Sequence, residues 1–275
     1  MSLEPEQRYL YSGHTVGASA QFHRLDDVEN LNHRIPALGA SVLPVTGGLS
    51  TAHAENYSYI VDHPRRITLL SVRRVDSSAE GREFRDRFET EVGAEVESIR
   101  VVEKLHVDFI KYHMLSTLTI GAAEPVVSTR GNEIEGMRLG RVKVKVVLDE
   151  EPLHASGSKA QLAAFYKKQT ADYREQQAWR FNTQPGTVIL ASPNGNHTFS
   201  LVREIKLEGP EVEKQRMSVE GYTIRWEGFG RLYIGEVVLR GNSRQVTLVR
   251  LAMGSSAGGP GSMGCGQTNG QVGSS

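Results

Sequence analysis

Residues 140–148 read Gly-Arg-Val-Lys-Val-Lys-Val-Val-Leu, and their alternation decides the fold. Val142, Val144 and Val146 recur two apart, with Arg141, Lys143 and Lys145 between them. A period of two puts the valines on one face of an extended strand and the cations on the other, the pattern of a half-buried β-strand. The same spacing recurs at Leu232 and Ile234, and at Val246 and Leu248. A chain patterned this way is expected to be mainly β, an antiparallel sandwich or barrel.

Working outward, residues 57–61 and 67–72 read as two strands parted by Asp62-His63-Pro64. Residues 8–22 are small and β-compatible, with glycines that suggest a bend. Between residues 90 and 118 the alternation is long, but its phase breaks near Phe109 and Ile110, a place to expect a bulge or a change of face. Residues 80–88 are dense in charge and are expected to form a short helix or a loop. Residues 158–177 differ from the rest. Leu162, Phe165, Tyr166 and Tyr173 recur at three- and four-residue steps, so one helix is expected there, with Ser156 or Ser158 at its start. Strands are expected again at residues 186–191 and 198–206, around the hairpin signal Pro193-Asn194-Gly195-Asn196. A C-terminal meander follows through residues 222–226, 231–239 and 245–253. The last 22 residues, from Gly254, hold eight glycines and five serines, which by composition is a flexible tail. The expected organisation is one β-rich domain over residues 1–253 and a tail over 254–275.

Bulk composition removes several classes of function. Lys plus Arg and Asp plus Glu both number 32, so no net field draws the chain to nucleic acid or to an anionic membrane. Cys265 is the one cysteine, which excludes an intramolecular disulfide. No window is apolar enough for a membrane helix, and residues 1–7 lack the basic start and apolar run of a signal peptide, so the expected location is cytoplasmic.

Four segments carry a resemblance. Residues 41–48 (Ser-Val-Leu-Pro-Val-Thr-Gly-Gly), 135–140 (Glu-Gly-Met-Arg-Leu-Gly), 229–236 (Phe-Gly-Arg-Leu-Tyr-Ile-Gly-Glu) and 246–255 (Val-Thr-Leu-Val-Arg-Leu-Ala-Met-Gly-Ser) resemble, in order, a group of uncharacterised bacterial β-rich proteins. The likeness runs from Tyr11 to Gly270. It implies a single unit without a signal peptide, and it implies no activity, because none is established for that group.

Searches for catalytic motifs return little. No serine lies in a Gly-x-Ser-x-Gly elbow, and the glycine-rich stretch from Gly254 lacks the Lys-Ser/Thr ending and the following helix of a phosphate loop. Asp149-Glu150-Glu151 lacks the spaced oxygens of a calcium loop. Nine histidines show none of the close pairings of zinc sites, although His14, His23 and His33 could converge in space. No metal or cofactor is expected. Two pairs stand out as candidate ligand-binding residues. His106 and Asp108 share one strand face. Glu236 shares a face with Leu232 and Ile234 in a simple alternation, and a charge on a core-like face needs a partner, which Arg250 on the neighbouring strand can supply.

The leading expectation is a non-enzymatic binding or self-assembling structural protein, a homo-oligomer built through unpaired strand edges. The alternative is an enzyme whose β fold encloses a small-molecule pocket lined by Glu236, Arg250 and His106. A third reading, a pore former using residues 114–120 as a membrane hairpin, rests on an alternation that any sheet with one wet face also shows.

Overall fold

A computed structural model describes residues 9–22, 33–62, 66–129, 131–155, 159–171, 197–240, 243–253, 260–268 and 271–272. In chain order the strands are β1 (Tyr9–Leu10), β2 (Gly13–Phe22), β3 (His33–Val42), β4 (Gly48–Val61), β5 (Ile67–Glu83), β6 (Arg87–Val101), β7 (Leu105–Thr119), β8 (Val126–Ser128), β9 (Glu133–Glu135), β10 (Arg138–Leu139) and β11 (Val142–Leu148). Helices α1 (Glu151–His154) and α2 (Lys159–Lys168) follow, then β12 (His197–Ser200), β13 (Val202–Glu208) and α3 (Glu211–Lys214). The chain closes with β14 (Met217–Glu220), β15 (Thr223–Trp226), β16 (Gly230–Arg240), β17 (Ser243–Met253), β18 (Pro260–Thr268) and β19 (Gln271–Val272).

Two antiparallel sheets lie face to face, with no closed barrel. Sheet I runs β13-β11-β10-β7-β6-β5-β4, with β8 and β9 also on β7. Sheet II runs β14-β15-β16-β17-β18-β2-β3, with β12 on β16. Val75, Val92, Val96, Ile110 and Met114 of sheet I are wholly buried, as are Leu232, Ile234, Val246, Leu248 and Val249 of sheet II. These side chains belong to one continuous core, and burying them is the main source of stability.

Each sheet carries a crease. Strand registers place Asn56, Arg73, Ser98, Asp108 and Gly136 in a single row across β4, β5, β6, β7 and the end of β9. Along this row the buried positions change parity: Val96 and then Ile99 face inward on β6, and Val107 and then Ile110 on β7. Every second strand crosses the row with a left-handed residue, Asn56 at φ 51°, Ser98 at 50° and Gly136 at 61°. Sheet II repeats the device. Its row is Gly39, Gly17, Gly264, Leu248 and Gly235, across β3, β2, β18, β17 and β16. Gly39, Gly264 and Gly235 are the left-handed members, at φ 56°, 58° and 63°. A left-handed residue inside a strand bends it and restarts the alternation one residue out of step, and glycine does so without a Cβ clash. The phase break expected near Phe109 is this crease, one residue earlier at Asp108.

Three expectations are corrected. Residues 80–88 form neither a helix nor a loop. They are the tip of the β5–β6 hairpin, with Glu83 registered on Phe88 and alternating charges on its outer face. The segment read as a flexible tail supplies β18, which lies between β17 and β2, and β19, which pairs with β1. Its glycines serve close packing instead of flexibility: a Cβ on Gly266 would stand 2.3 Å from Cε1 of Tyr112 in the facing sheet. Sheet II is therefore completed by residues beyond 253. The helix expected over 158–177 is present as α2, residues 159–168. The expected cap at Ser156 or Ser158, the helix end beyond residue 171, the strand over 186–191 and the hairpin at 193–196 lie outside the described residues. The meander of residues 222–253 is β15-β16-β17.

Candidate functional site

Glu236 enters the site through Gly235. Because the alternation restarts at the crease, Glu236 leaves the face of Leu232 and Ile234 and points outward with Tyr233, which corrects the expectation of a core-facing carboxylate. Thr247 lies opposite Glu236 on β17, and Arg250 lies opposite Tyr233. The expected partnership forms. Arg250 donates from Nε to one oxygen of Glu236 at 2.7 Å and from Nη2 to the other at 2.8 Å. Its guanidinium carbon also lies 3.7 Å from the Tyr233 ring centre. A planar fork matched to a carboxylate and stacked on a phenol is a rigid arrangement. Burial alone pulls the Arg250 guanidinium down, but the hydrogen bonds and charge of Glu236 with the nearby phenols outweigh it and leave the group raised. Burial, aided by the Glu236 charge, raises the Tyr222 phenol beside them.

A groove of about 730 Å³ opens on the outer side of the sheet II crease, where the bend turns outward-facing side chains toward one another. Gln245, Thr247 and Cys265 line it together with Arg250. Ser19 and Ala20 of β2 and residues 34–37 of β3 complete it. The β3 side owes its shape to a bulge: Ala18 is registered on Leu38 but Ala20 on Ile35, so Pro36 and Ala37 together oppose Ser19. Bulges of this kind redirect side chains at the rim of a sheet. Arg34 lies exposed at this wall and forms no ion pair among the described residues. Cys265, expected in a flexible tail, sits in a central strand of the sheet, and burial pushes its thiol up against the opposing pull of Thr247 and Gln245. A thiol so raised is a poor nucleophile.

His106 and Asp108 do meet, with His106 Nε2 2.5 Å from Asp108 Oδ1. They lie on the outer face of sheet I, flanked by Arg138 at 3.8 Å from Asp108 Oδ2, and so do not join Glu236 and Arg250. The carboxylate of Asp108 occupies the space that a side chain at Gly136 would fill, a Cβ there standing 1.8 Å from Oδ2. The two candidate pairs are thus separate surface features on different sheets, and neither is inside an enclosed pocket. His33 is bound to the Tyr59 hydroxyl at 2.7 Å, and His23 lies outside the described residues. No three His, Cys, Asp or Glu side chains converge on a metal-sized space among the described residues.

Sequence reasoning missed Arg34, Ser19, Gln245 and Thr247. Two signals pointed toward them: a proline inside the β3 pattern, which marks an edge or a bulge, and Gly235 next to a carboxylate.

These features define an antiparallel two-sheet β protein with a creased, grooved outer face. The chain belongs to the family described as Domain of unknown function (DUF8256), which matches residues 9–240. The match ends before β17, so Arg250 and Cys265 lie beyond it. No curated protein matches the chain, and no solved structure does.

Proposed function

We propose that this protein acts by binding, as a non-enzymatic scaffold whose sheet II groove holds a small organic anion. The observation that carries the reading is the groove's composition. An exposed cation at Arg34, the hydroxyls of Ser19 and Thr247 and the amide of Gln245 share one concavity with the apolar Ala20, Ile35, Pro36 and Ala37. A few polar groups over an apolar wall are what small-molecule sites use to orient a ligand. The acid–base groups nearby favour binding over turnover. Both oxygens of Glu236 are held by Arg250, and the Cys265 thiol is raised by burial. The single free cysteine suits a reducing compartment, and the cytoplasm is the location this reading assigns. No helix among the described residues is long and apolar enough to cross a membrane.

The test is calorimetric titration of the purified chain with a panel of small carboxylates and phosphate monoesters, in parallel with Arg34→Ala. One class of anion is expected to bind, with affinity falling roughly tenfold or more in the variant, the worth of a charge-assisted hydrogen bond. Equal binding by the variant, or no binding by any anion, contradicts the reading.

A further inference from the structure

Sheets expose unpaired backbone at their edges, and proteins guard those edges with charges, prolines, bulges or brevity. Three of the four edges here are guarded. Strand β3 carries Pro36 and its bulge. Strand β13 alternates Arg203, Glu204, Lys206 and Glu208. Strand β14 is four residues long. Strand β4 differs: it spans 14 residues, is registered on β5 along one side, and bonds to no strand on the other among the described residues. Its residues 48–54, Gly-Leu-Ser-Thr-Ala-His-Ala, include no proline, lysine, arginine or carboxylate. The first carboxylate is Glu55, and the crease at Asn56 bends the strand immediately after it.

We infer that residues 48–55 of β4 are a self-association edge, joining two copies of this chain into one continuous antiparallel sheet. A second copy is the occupant that the strand's own sequence fits. In a two-fold register centred on Ala52, outward residues face outward residues, so Leu49 meets Glu55 and Thr51 meets His53 across the junction. On the inward side the small Ser50, Ala52 and Ala54 meet one another. No like charges are opposed in that register, and opposed like charges are what disfavours a strand pair. The Asn56 crease stops the pairing at eight residues, so the dimer is concentration-dependent and weaker than an obligate one.

Leu49, which is 63% exposed, gives the decisive variants, because the fold tolerates any residue there. Leu49→Glu sets two new carboxylates against the two Glu55 side chains, whereas Leu49→Lys sets two ammonium groups against them. Light scattering on a sizing column at micromolar protein is expected to show a dimer for the wild type. Leu49→Glu is expected to weaken it about fivefold or more, and Leu49→Lys to retain or strengthen it. Amide exchange at residues 48–55 is expected to slow as protein concentration rises. A wild-type monomer at all concentrations overturns the inference, as do Glu and Lys variants that behave alike or exchange at β4 that ignores concentration.

Discussion

Gly266 lies under the ring of Tyr112, a side chain only 1% exposed whose hydroxyl has no hydrogen-bond partner among the described residues. Burial pushes that phenol well above its ordinary value, so the ring is held by packing. A methyl at position 266 would meet Cε1 at 2.3 Å and Cζ at 2.7 Å. Overfilling a packed core costs about 1–3 kcal/mol, and Gly266→Ala is expected to lower unfolding stability by that amount in a denaturant titration. In the double variant with Tyr112→Leu the two losses are expected to be less than additive, since the smaller side chain leaves room for the methyl. Strictly additive losses would mean that the two residues do not press on each other. Contacts of this kind explain why composition misread the C-terminus. Glycine signals flexibility when nothing is known of what lies above it, and here the ring that occupies its space comes from a residue 154 positions earlier in the chain.

At the scale of elements, the outer face of sheet I is a lattice of cross-strand ion pairs. Arg73 pairs with Glu97, Lys111 with Glu95 at 2.8 Å, and His113 with Glu91 at 2.7 Å. His53 of β4 meets Asp76 of β5 at 2.7 Å. The hydrogen bond from Asp76 raises the imidazole's pKa, and the same bond lowers the carboxyl's. A raised histidine adds stability that is full below its unfolded pKa and is lost as pH climbs through the folded one. A lowered aspartate adds stability that is present above its unfolded pKa and is lost as pH falls through the folded one. The pair therefore contributes most between about pH 4 and about pH 6.5, the span between the two ordinary values. The difference in melting temperature between wild type and His53→Ala is expected to peak within that span and fade toward alkaline pH. A difference independent of pH would show that His53 acts by packing. Strand identity was legible on these elements because alternation is a local property: β11, β16 and β17 stand where the period of two puts them. The face of each residue was not legible past the creases. Asn56, Ser98 and Gly235 change the parity of everything after them, and of these only Gly235 is of a type that announces a left-handed backbone. The β6–β7 turn is concealed for the same reason, with Val102 at φ 49° and Glu103 at φ 53° standing where a glycine or asparagine would be expected.

At the scale of the whole molecule, the matched creases govern what the surfaces can do. The inner side of the sheet II crease seats Gly17 and Gly39 against Val75, so the two layers close on each other there, and the outer side opens into the groove. The partnership of Glu236 and Arg250 was legible because β16 and β17 are joined by a short connection and each has one charge among apolar neighbours. Its placement beside a concave wall was not, because that wall comes from β2 and β3, more than two hundred residues away in sequence. Binding at the groove is the central claim. It is tested most directly by mapping amide chemical-shift changes while the chain is titrated with small carboxylates and phosphate monoesters. The account predicts saturable changes confined to residues 19–20, 34–37, 245–250 and 265. Saturable changes centred elsewhere, such as on His106 and Asp108, or none with any anion, would contradict it.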